Sequence, residues 1–490
     1  MALDGRPRLN LASFVTTKME RAAENLMTEA STKNAIDLDE YPQTTAMQQR
    51  CVNMLARLFH APLDACEDGT GTACVGSSEA IMLATLAMKW AWKERRTKKG
   101  LDVSKPNIVF GSNIQVVWHK ACKYFEVESR EANVSPDCLV LTAERAKPLV
   151  DENTIGVCAM LGSTYNGEYE DVKGIHDMLV ALNKEKGWEV PLHVDAASGG
   201  FVAPFLHDKL VWDFQLPNVK SINVSGHKFG LVYAGIGWLV FREKHNLHPD
   251  LVFHVNYLGG DQSSFTLNFS KGAGTIVGQY YNLLRLGRTG YTQVMTNCAS
   301  NAYYLREKLL ETGKVEIHDK AHVPLVAFSL KASIRCGIPP STPRNRCWPL
   351  FMQDKLSNKG WIVPAYTCPP GAEDLAILRV VVRDDFSRDL ADALLSDMLK
   401  AMDWLEHHPA THHAKHAGHI KEQRQKRRER KAEDDKARLE KRAAADAGKP
   451  EAEAAAEEEA QPPLIEQHHI HSLKTDPAHR STGEKTHGVC

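Results

Sequence analysis

A lysine is the residue of this chain best placed to do covalent chemistry. Ser225-Gly226-His227-Lys228-Phe229-Gly230 directly follows the apolar run Ser221–Val224, and strand ends are where α/β sheets gather their active sites. An amine becomes a Schiff-base nucleophile when desolvation or a neighbouring cation keeps part of it neutral. Ser225 and His227 could hold a phosphate through hydroxyl and imidazole donors. Alone, these residues fit a surface lysine in a loop equally well. Upstream, His193-Val194-Asp195-Ala196-Ala197-Ser198-Gly199-Gly200 puts an acid at the end of another apolar run. Alone, Asp195 could simply cap a helix. Further upstream, Gly76-Ser77-Ser78-Glu79 opens a helix-like stretch, where free N–H groups and two hydroxyls form an anion seat or an ordinary cap. Together the three supply a phosphate seat, an acid to keep a pyridine nitrogen protonated, and a Schiff-base lysine. Pyridoxal phosphate needs these parts.

The elements that would position them alternate. Ile155–Leu161, Pro191–Asp195, Ser221–Val224 and Gly235–Phe241 read as buried strands of an α/β sheet. Ser78–Lys93 reads as a helix whose N-terminus is Gly76-Ser77-Ser78. Val323–Leu330 and Ala376–Val382 read as strands of a second, smaller α+β unit beginning near residue 300. The spacing of Leu390, Leu394, Leu395, Met398 and Met402 predicts an amphipathic helix ending near His407.

Composition bounds the rest. The 490 residues carry a net charge of −1, which disfavours a duplex-DNA binder or a charge-held membrane protein. No apolar run approaches a membrane span. Eleven cysteines without CxxC pairs suit reduced thiols and a cytoplasmic enzyme. All 9 Trp, 15 Phe and 12 Tyr lie at or before Trp404, so the residues beyond about 408 cannot build a core. Gly69-Thr70-Gly71 and Gly272-Ala273-Gly274 do not complete a dinucleotide loop. The histidines around 407–419 imply no fixed metal geometry, and no metal is expected. The basic run Lys421–Arg442 lacks the large apolar anchors that calmodulin grips, so calmodulin is not an expected partner.

The longer stretches carry a resemblance. Glu40-Tyr41-Pro42-Gln43, Arg50-Cys51-Val52-Asn53-Met54, Gly76–Ala80, Trp118-His119-Lys120, Asp151–Val157, His193–Phe201, Ser225–Gly230, Tyr257-Leu258-Gly259-Gly260 and Gln279–Arg285 resemble the group II pyridoxal-phosphate decarboxylases. Within these the chain is most similar to the glutamate decarboxylases of bacteria, plants and fungi, from about Asp4 to about Pro409. The resemblance implies an aspartate-aminotransferase-like fold (fold type I). A large mixed-sheet cofactor domain would span residues 1–300 and a smaller C-terminal α+β domain 301–408. Residues 409–490 would be a charged, His-rich disordered tail. The family's N-terminal segment is largely absent ahead of Asp4, which bears on assembly into a homo-oligomer.

The resemblance also implies roles. Lys228 would carry pyridoxal phosphate, and Ser77, Ser78, Ser225 and His227 would bind its phosphate. Asp195 would pair with the ring nitrogen and Thr164 would lie on the polar edge. His119 would stack on one ring face and Ala197 on the other. Arg379 would grip the α-carboxylate, while Ser13, Asn34 and Asp37 would form a pocket for the distal carboxylate. Asp37 beside a second carboxylate implies a shared proton and activity at mildly acid pH. The implied reaction is α-decarboxylation of L-glutamate to 4-aminobutyrate. The competing readings are a decarboxylase of another amino acid, an aminotransferase on the same scaffold, and a catalytically silent assembly protein using its tail.

Overall fold

The computed structural model describes residues 4–255, 262–331 and 347–407. The motif Tyr257–Gly260 and the tail 409–490, with the expectations placed on them, lie outside the described residues. Among these residues, seven strands form one large sheet. They are β1 (Thr70–Cys74), β2 (Asn107–Gly111), β3 (Glu128–Ala132), β4 (Thr154–Met160), β5 (Leu192–Asp195), β6 (Val219–Val224) and β7 (Gly237–Phe241). Their spatial order is β1-β7-β6-β5-β4-β2-β3. β3, β2, β4, β5 and β6 run parallel, whereas β7 is antiparallel to both β6 and β1. Every residue of β2, β4, β5 and β7 is buried. A sheet covered on both faces requires this, and it is why these strands read as unbroken apolar runs.

Connections follow from local chemistry. β4 crosses to β5 through the helix Val172–Lys186, which Asp171 starts by accepting from the Gly174 N–H at 3.0 Å. Gly187, at φ 68°, stops it in the left-handed region. The helix Ser77–Lys98 begins where β1 ends, and the buried Glu79 folds back to accept from the Val75 N–H at 2.8 Å. The Gly69-Thr70-Gly71 stretch, set aside as a nucleotide loop, opens the edge strand β1. Gly71 is needed there because a Cβ would fall 2.4 Å from the Leu239 carbonyl oxygen.

Beyond a two-stranded ladder of β8 (Phe253–Val255) and β9 (Gln262–Ser264), the long helix Gly274–Glu311 breaks at Gly287 (φ 53°) and leads to the smaller sheet. That sheet is antiparallel throughout, in the order β10 (Val315–Ile317), β11 (Leu325–Leu330), β13 (Ala376–Val381), β12 (Ala365–Thr367). The helices Cys347–Ser357 and Arg388–His407 cover it. Leu394, Met398 and Met402 join Leu305, Phe328 and Val380 in its core, as the spacing of the last helix predicts. The fold is thus of the aspartate-aminotransferase type, with a large mixed sheet and a smaller C-terminal α+β layer. Among the described residues no helix is long and apolar enough to cross a membrane.

The N-terminal segment belongs to both layers. The Leu11 N–H donates to the Ile362 carbonyl at 2.9 Å, and the Leu11 carbonyl accepts from the Val381 N–H at 2.9 Å. Leu11 therefore sits in the small-sheet core, while Phe14, three residues on, packs into the large one.

Candidate active site

The site is built on the C-terminal ends of β5 and β6, with the loop after β4 beside them. Asp195 is the last residue of β5 and is 5% exposed. Its Oδ1 accepts from the Ala197 N–H at 3.1 Å and from Asn223 Nδ2 at 2.9 Å. Its Oδ2 accepts from the indole Nε1 of Trp118 at 3.0 Å. Three donors on one carboxylate fix its orientation.

Lys228 lies in the turn after β6. Its Nζ donates to Ser198 Oγ at 3.2 Å and lies 5.2 Å from the centre of the Phe14 ring. The guanidinium of Arg379, on β13, sits 4.8 Å from the same ring. Burial lowers the Lys228 amine from its usual 10.5 to about 8; Asp195 opposes the shift and the Arg379 charge adds to it. A Schiff-base nucleophile needs such an amine, because an appreciable fraction is neutral near pH 7.

Facing the lysine turn is the start of the helix Ser77–Lys98. Ser77 Oγ and Ser225 Oγ are 2.6 Å apart. A Cβ on Gly76 would meet His227 Cε1 at 3.1 Å, and one on Gly237 would fall 2.6 Å from the Gly76 carbonyl carbon. These glycines let strand, helix start and imidazole close into one cradle. His227 Nδ1 is buried and has no hydrogen-bond partner among the described residues. Burial, then the Lys228 charge, depress this imidazole to about 4, so it is neutral in the folded protein. Ser78, one position on, is exposed at the same helix start.

The other expected residues divide. Ala197 joins the cluster through its backbone, donating to Asp195 and accepting from the Ser225 N–H at 3.3 Å. Thr164 lies in the loop after β4, where its carbonyl accepts from Arg379 Nη1. Arg379 Nη2 donates to the Ala12 carbonyl at 2.6 Å, and Nε is buried with no partner among the described residues. The guanidinium fork is therefore held by backbone, while Nε makes no described hydrogen bond. Ser13 precedes Phe14 and uses its hydroxyl to accept from the Val15 N–H at 3.1 Å.

His119 is not brought to the cluster. Its Nε2 lies 3.0 Å from Glu131 Oε1 on the edge strand β3, and its side chain is 47% exposed. β4 and β2 separate that strand from Asp195 on β5. The helical turn of about 100° per residue aims Trp118 inward and its neighbour outward. Asn34 and Asp37 make their described hydrogen bonds elsewhere than to Ser13. Asn34 Oδ1 accepts from the Lys271 N–H at 3.1 Å, and the Asp37 N–H donates to the Asn34 carbonyl at 3.2 Å. Among the described hydrogen bonds none links either to Ser13, Arg379 or Lys228.

Trp118, Ser198, Asn223 and Phe14 were not singled out in the sequence. A buried indole N–H must find an acceptor, which was a readable hint for Trp118. The others follow from strand register and chain crossing. Cavity size does not find the site: a cleft of about 1050 Å³, lined by Thr17, Asn282, Asp384 and Asp385 among others, includes neither Lys228 nor Asp195.

The donor set fits pyridoxal phosphate. It offers a lysine amine of lowered basicity, an anchored carboxylate at a neighbouring strand end, paired hydroxyls at a helix N-terminus and an unpartnered buried imidazole nitrogen.

Comparison with known proteins agrees. The Pyridoxal-dependent decarboxylase conserved domain matches residues 2–331. Glutamate decarboxylase 1 of Arabidopsis thaliana is 55% identical over 412 residues, covering 84% of this chain and 80% of the relative. Glutamate decarboxylase of Aliivibrio fischeri is 46% identical over 415 residues, covering 84% and 87%. The solved Lactobacillus brevis glutamate decarboxylase superposes with a TM-score of 0.78 at 40% identity, covering 84% of this chain and 91% of that one. The long motifs, the two-layer fold and these likenesses lead to one assignment: the chain belongs to the pyridoxal-dependent decarboxylase family, among the glutamate decarboxylases.

Proposed function

We propose that this enzyme removes the α-carboxylate of L-glutamate with pyridoxal 5′-phosphate, giving 4-aminobutyrate and carbon dioxide. The observation that carries the reading is the convergence of Lys228, Asp195 and the Ser77–Ser225 pair at neighbouring strand ends, with Arg379 beside them.

Lys228 would hold the cofactor, with Ser77, Ser78, Ser225 and His227 around its phosphate and Ala197 against the ring. Asp195 would face the ring nitrogen and Thr164 the polar edge. When bound, the cofactor supplies an aldehyde carbon that captures amines and a protonated ring that accepts the electron pair left behind by carbon dioxide. Asp195, held at both oxygens, keeps its charge fixed where that ring nitrogen needs it. Arg379 draws the α-carboxylate toward its Nε, and Phe14 shields that cation and the Lys228 amine from water. Lys228 is the acid–base group at hand to carry a proton, with the Ser198 hydroxyl steadying Nζ. Overall, one proton is consumed, because carbon dioxide leaves neutral while the product keeps an ionised amine.

Ser13 would contribute to distal-carboxylate binding. Asn34 and Asp37, which make no described hydrogen bond to it, would complete that pocket, and a second copy supplying them is in keeping with the homo-oligomer reading. The division at residue 300 and a cytoplasmic location, in keeping with the unpatterned cysteines, remain part of this proposal. No role at the ring is proposed for His119.

The test is product formation from glutamate, aspartate and tyrosine, with and without added pyridoxal phosphate. Only glutamate should give its amine, with alkalinisation of the medium. A faster reaction with either other substrate refutes the assignment.

A further inference from the structure

His193 was part of a sequence motif but has no role in the site so far. It is fully buried on β5, two residues before Asp195. In the ladder between β5 and β6, His193 pairs with Ser221 and Asp195 with Asn223. Strand period two puts all four side chains on one face of the sheet, as a two-by-two block. His193 Nδ1 lies 2.7 Å from Ser221 Oγ, and His193 Nε2 lies 2.7 Å from Asn223 Oδ1. Asn223 Nδ2 in turn donates to Asp195 Oδ1 at 2.9 Å.

The direction of every bond in this chain follows from its ends. A carboxylate only accepts, so the Asn223 amide must show it NH₂ and turn its carbonyl to His193. His193 must then carry its proton on Nε2. Burial lowers the pKa of this imidazole and so favours the neutral form, whose bare Nδ1 accepts from the Ser221 hydroxyl. All three bonds therefore point toward Asp195 and polarise one another in the same sense. His193 also packs edge-on against Trp118, with ring centroids 5.5 Å apart, and Trp118 is the donor to the other Asp195 oxygen. One imidazole thus steadies the side-chain donors to both carboxylate oxygens.

We infer that His193 is a positioning residue that fixes the orientation of Asn223 and Trp118 and thereby holds Asp195 as the counter-charge of the cofactor ring. Without the Nε2 proton, nothing prevents the Asn223 amide from turning its oxygen toward Asp195, where like partial charges repel and the carboxylate swings away from the ring nitrogen.

The inference rests on the reading of Asp195 given above, and the experiments separate the two. In wild-type enzyme labelled with ¹⁵N-histidine, His193 should show a protonated Nε2 and a bare Nδ1, unchanged between about pH 5 and pH 8, where an ordinary histidine titrates. A protonated Nδ1 tautomer, or titration within that range, overturns the inference without needing any variant. His193→Phe should lower kcat about 10- to 100-fold, the scale seen when groups orienting a functional ligand are removed. The KM for glutamate should stay within about twofold, as expected when an effect is confined to the reacting state. The visible absorption of the bound cofactor should respond to a lowered ring-nitrogen pKa, and Asn223→Leu, which removes the donor without adding a charge, should shift it in the same direction. Ser221→Ala, which keeps the Nε2 donor, should change it less. A folded His193→Phe enzyme with lower thermal stability but unaltered kcat and cofactor spectrum overturns the inference. Wild-type enzyme that takes up no pyridoxal phosphate instead overturns the functional reading beneath it.

Discussion

Lys228 and Arg379 share one aromatic ring: the amine lies 5.2 Å and the guanidinium 4.8 Å from the centre of Phe14. Residues from β13, the β6 turn and the N-terminal segment meet there, so one ring faces two like charges whose repulsion adds to the lowering of the Lys228 pKa. Each cation–π contact is worth roughly 1 kcal/mol. Phe14→Leu keeps an apolar filler and removes both. We expect kcat/KM for glutamate to fall about tenfold, given roughly 1.4 kcal/mol per decade, while circular dichroism stays unchanged. Wild-type kinetics in this variant would show that the ring is only packing.

The lowered Lys228 pKa has a defined pH consequence in enzyme stripped of cofactor. Below about 8 the folded protein carries a buried ammonium, and above it a neutral amine. The unfolded chain keeps its lysine protonated to about 10.5, so between these values it binds more protons than the folded chain. Stability attributable to this residue must therefore rise as pH climbs from about 8 to 10.5. Amine labelling at Lys228 should reach half its maximal rate near pH 8. A labelling midpoint above 10 removes the basis for calling it an activated nucleophile.

Lys228→Ala should abolish 4-aminobutyrate formation and borohydride-dependent cofactor labelling while leaving the fold intact. Asp195→Asn replaces one acceptor oxygen with an amide that faces a donor, from either Trp118 or Asn223. It should still take up cofactor and lose most of kcat, because the ring nitrogen loses its counter-charge. Full activity in Asp195→Asn would remove the electron-sink role.

Gly237 tests the phosphate cradle without touching a polar group. A Cβ there would lie 2.6 Å from the Gly76 carbonyl carbon and 2.8 Å from the Ser77 nitrogen. Neither backbone atom can yield without shifting the helix start, so Gly237→Ala should weaken pyridoxal phosphate binding about tenfold, equivalent to roughly 1.4 kcal/mol. Equilibrium titration of cofactor-free enzyme measures it, and unchanged affinity would place the phosphate elsewhere.

Much of this site was legible because its strands are covered on both faces. The run expected at Ser221–Val224 is β6, Val219–Val224, and that expected at Pro191–Asp195 is β5, Leu192–Asp195. Lys228 and Asp195 could therefore be placed at strand ends from apolar runs alone. The pairing of His193 with Ser221 and Asp195 with Asn223 could not, because register belongs to two strands and no single stretch records it. His119 misled for a local reason: helical spacing puts neighbours on different faces, and its partner Glu131 lies on a strand whose position in the sheet the sequence does not state. Ser13, Asn34 and Asp37 were grouped by resemblance, and no stretch of sequence records their partners: the Ser13 carbonyl accepts from Arg383, and Asn34 Oδ1 from the Lys271 N–H.

Arg383 offers a test of the N-terminal segment. It is 3% exposed, and its guanidinium donates to the carbonyls of Asn10 at 2.6 Å, Ser13 at 2.7 Å and Pro7 at 3.1 Å. Arg383→Ala takes this donor from the Asn10 and Ser13 carbonyls, while the Pro7 carbonyl keeps the Asn10 N–H, and should cost about 3 kcal/mol. Limited proteolysis should then cut near residues 7–13 well before the large sheet opens. Cleavage at the wild-type rate would show that the segment is anchored by other contacts.

Because Leu11 is stitched to Val381 of the small sheet and Phe14 lies over the reactive amine, a segment that precedes the large sheet in the chain closes the catalytic chamber only after β13 has formed. A ribosome-bound chain can shape the large sheet and still lack its roof. Full competence is therefore a late event in the birth of the enzyme, and half-made copies would not squander substrate.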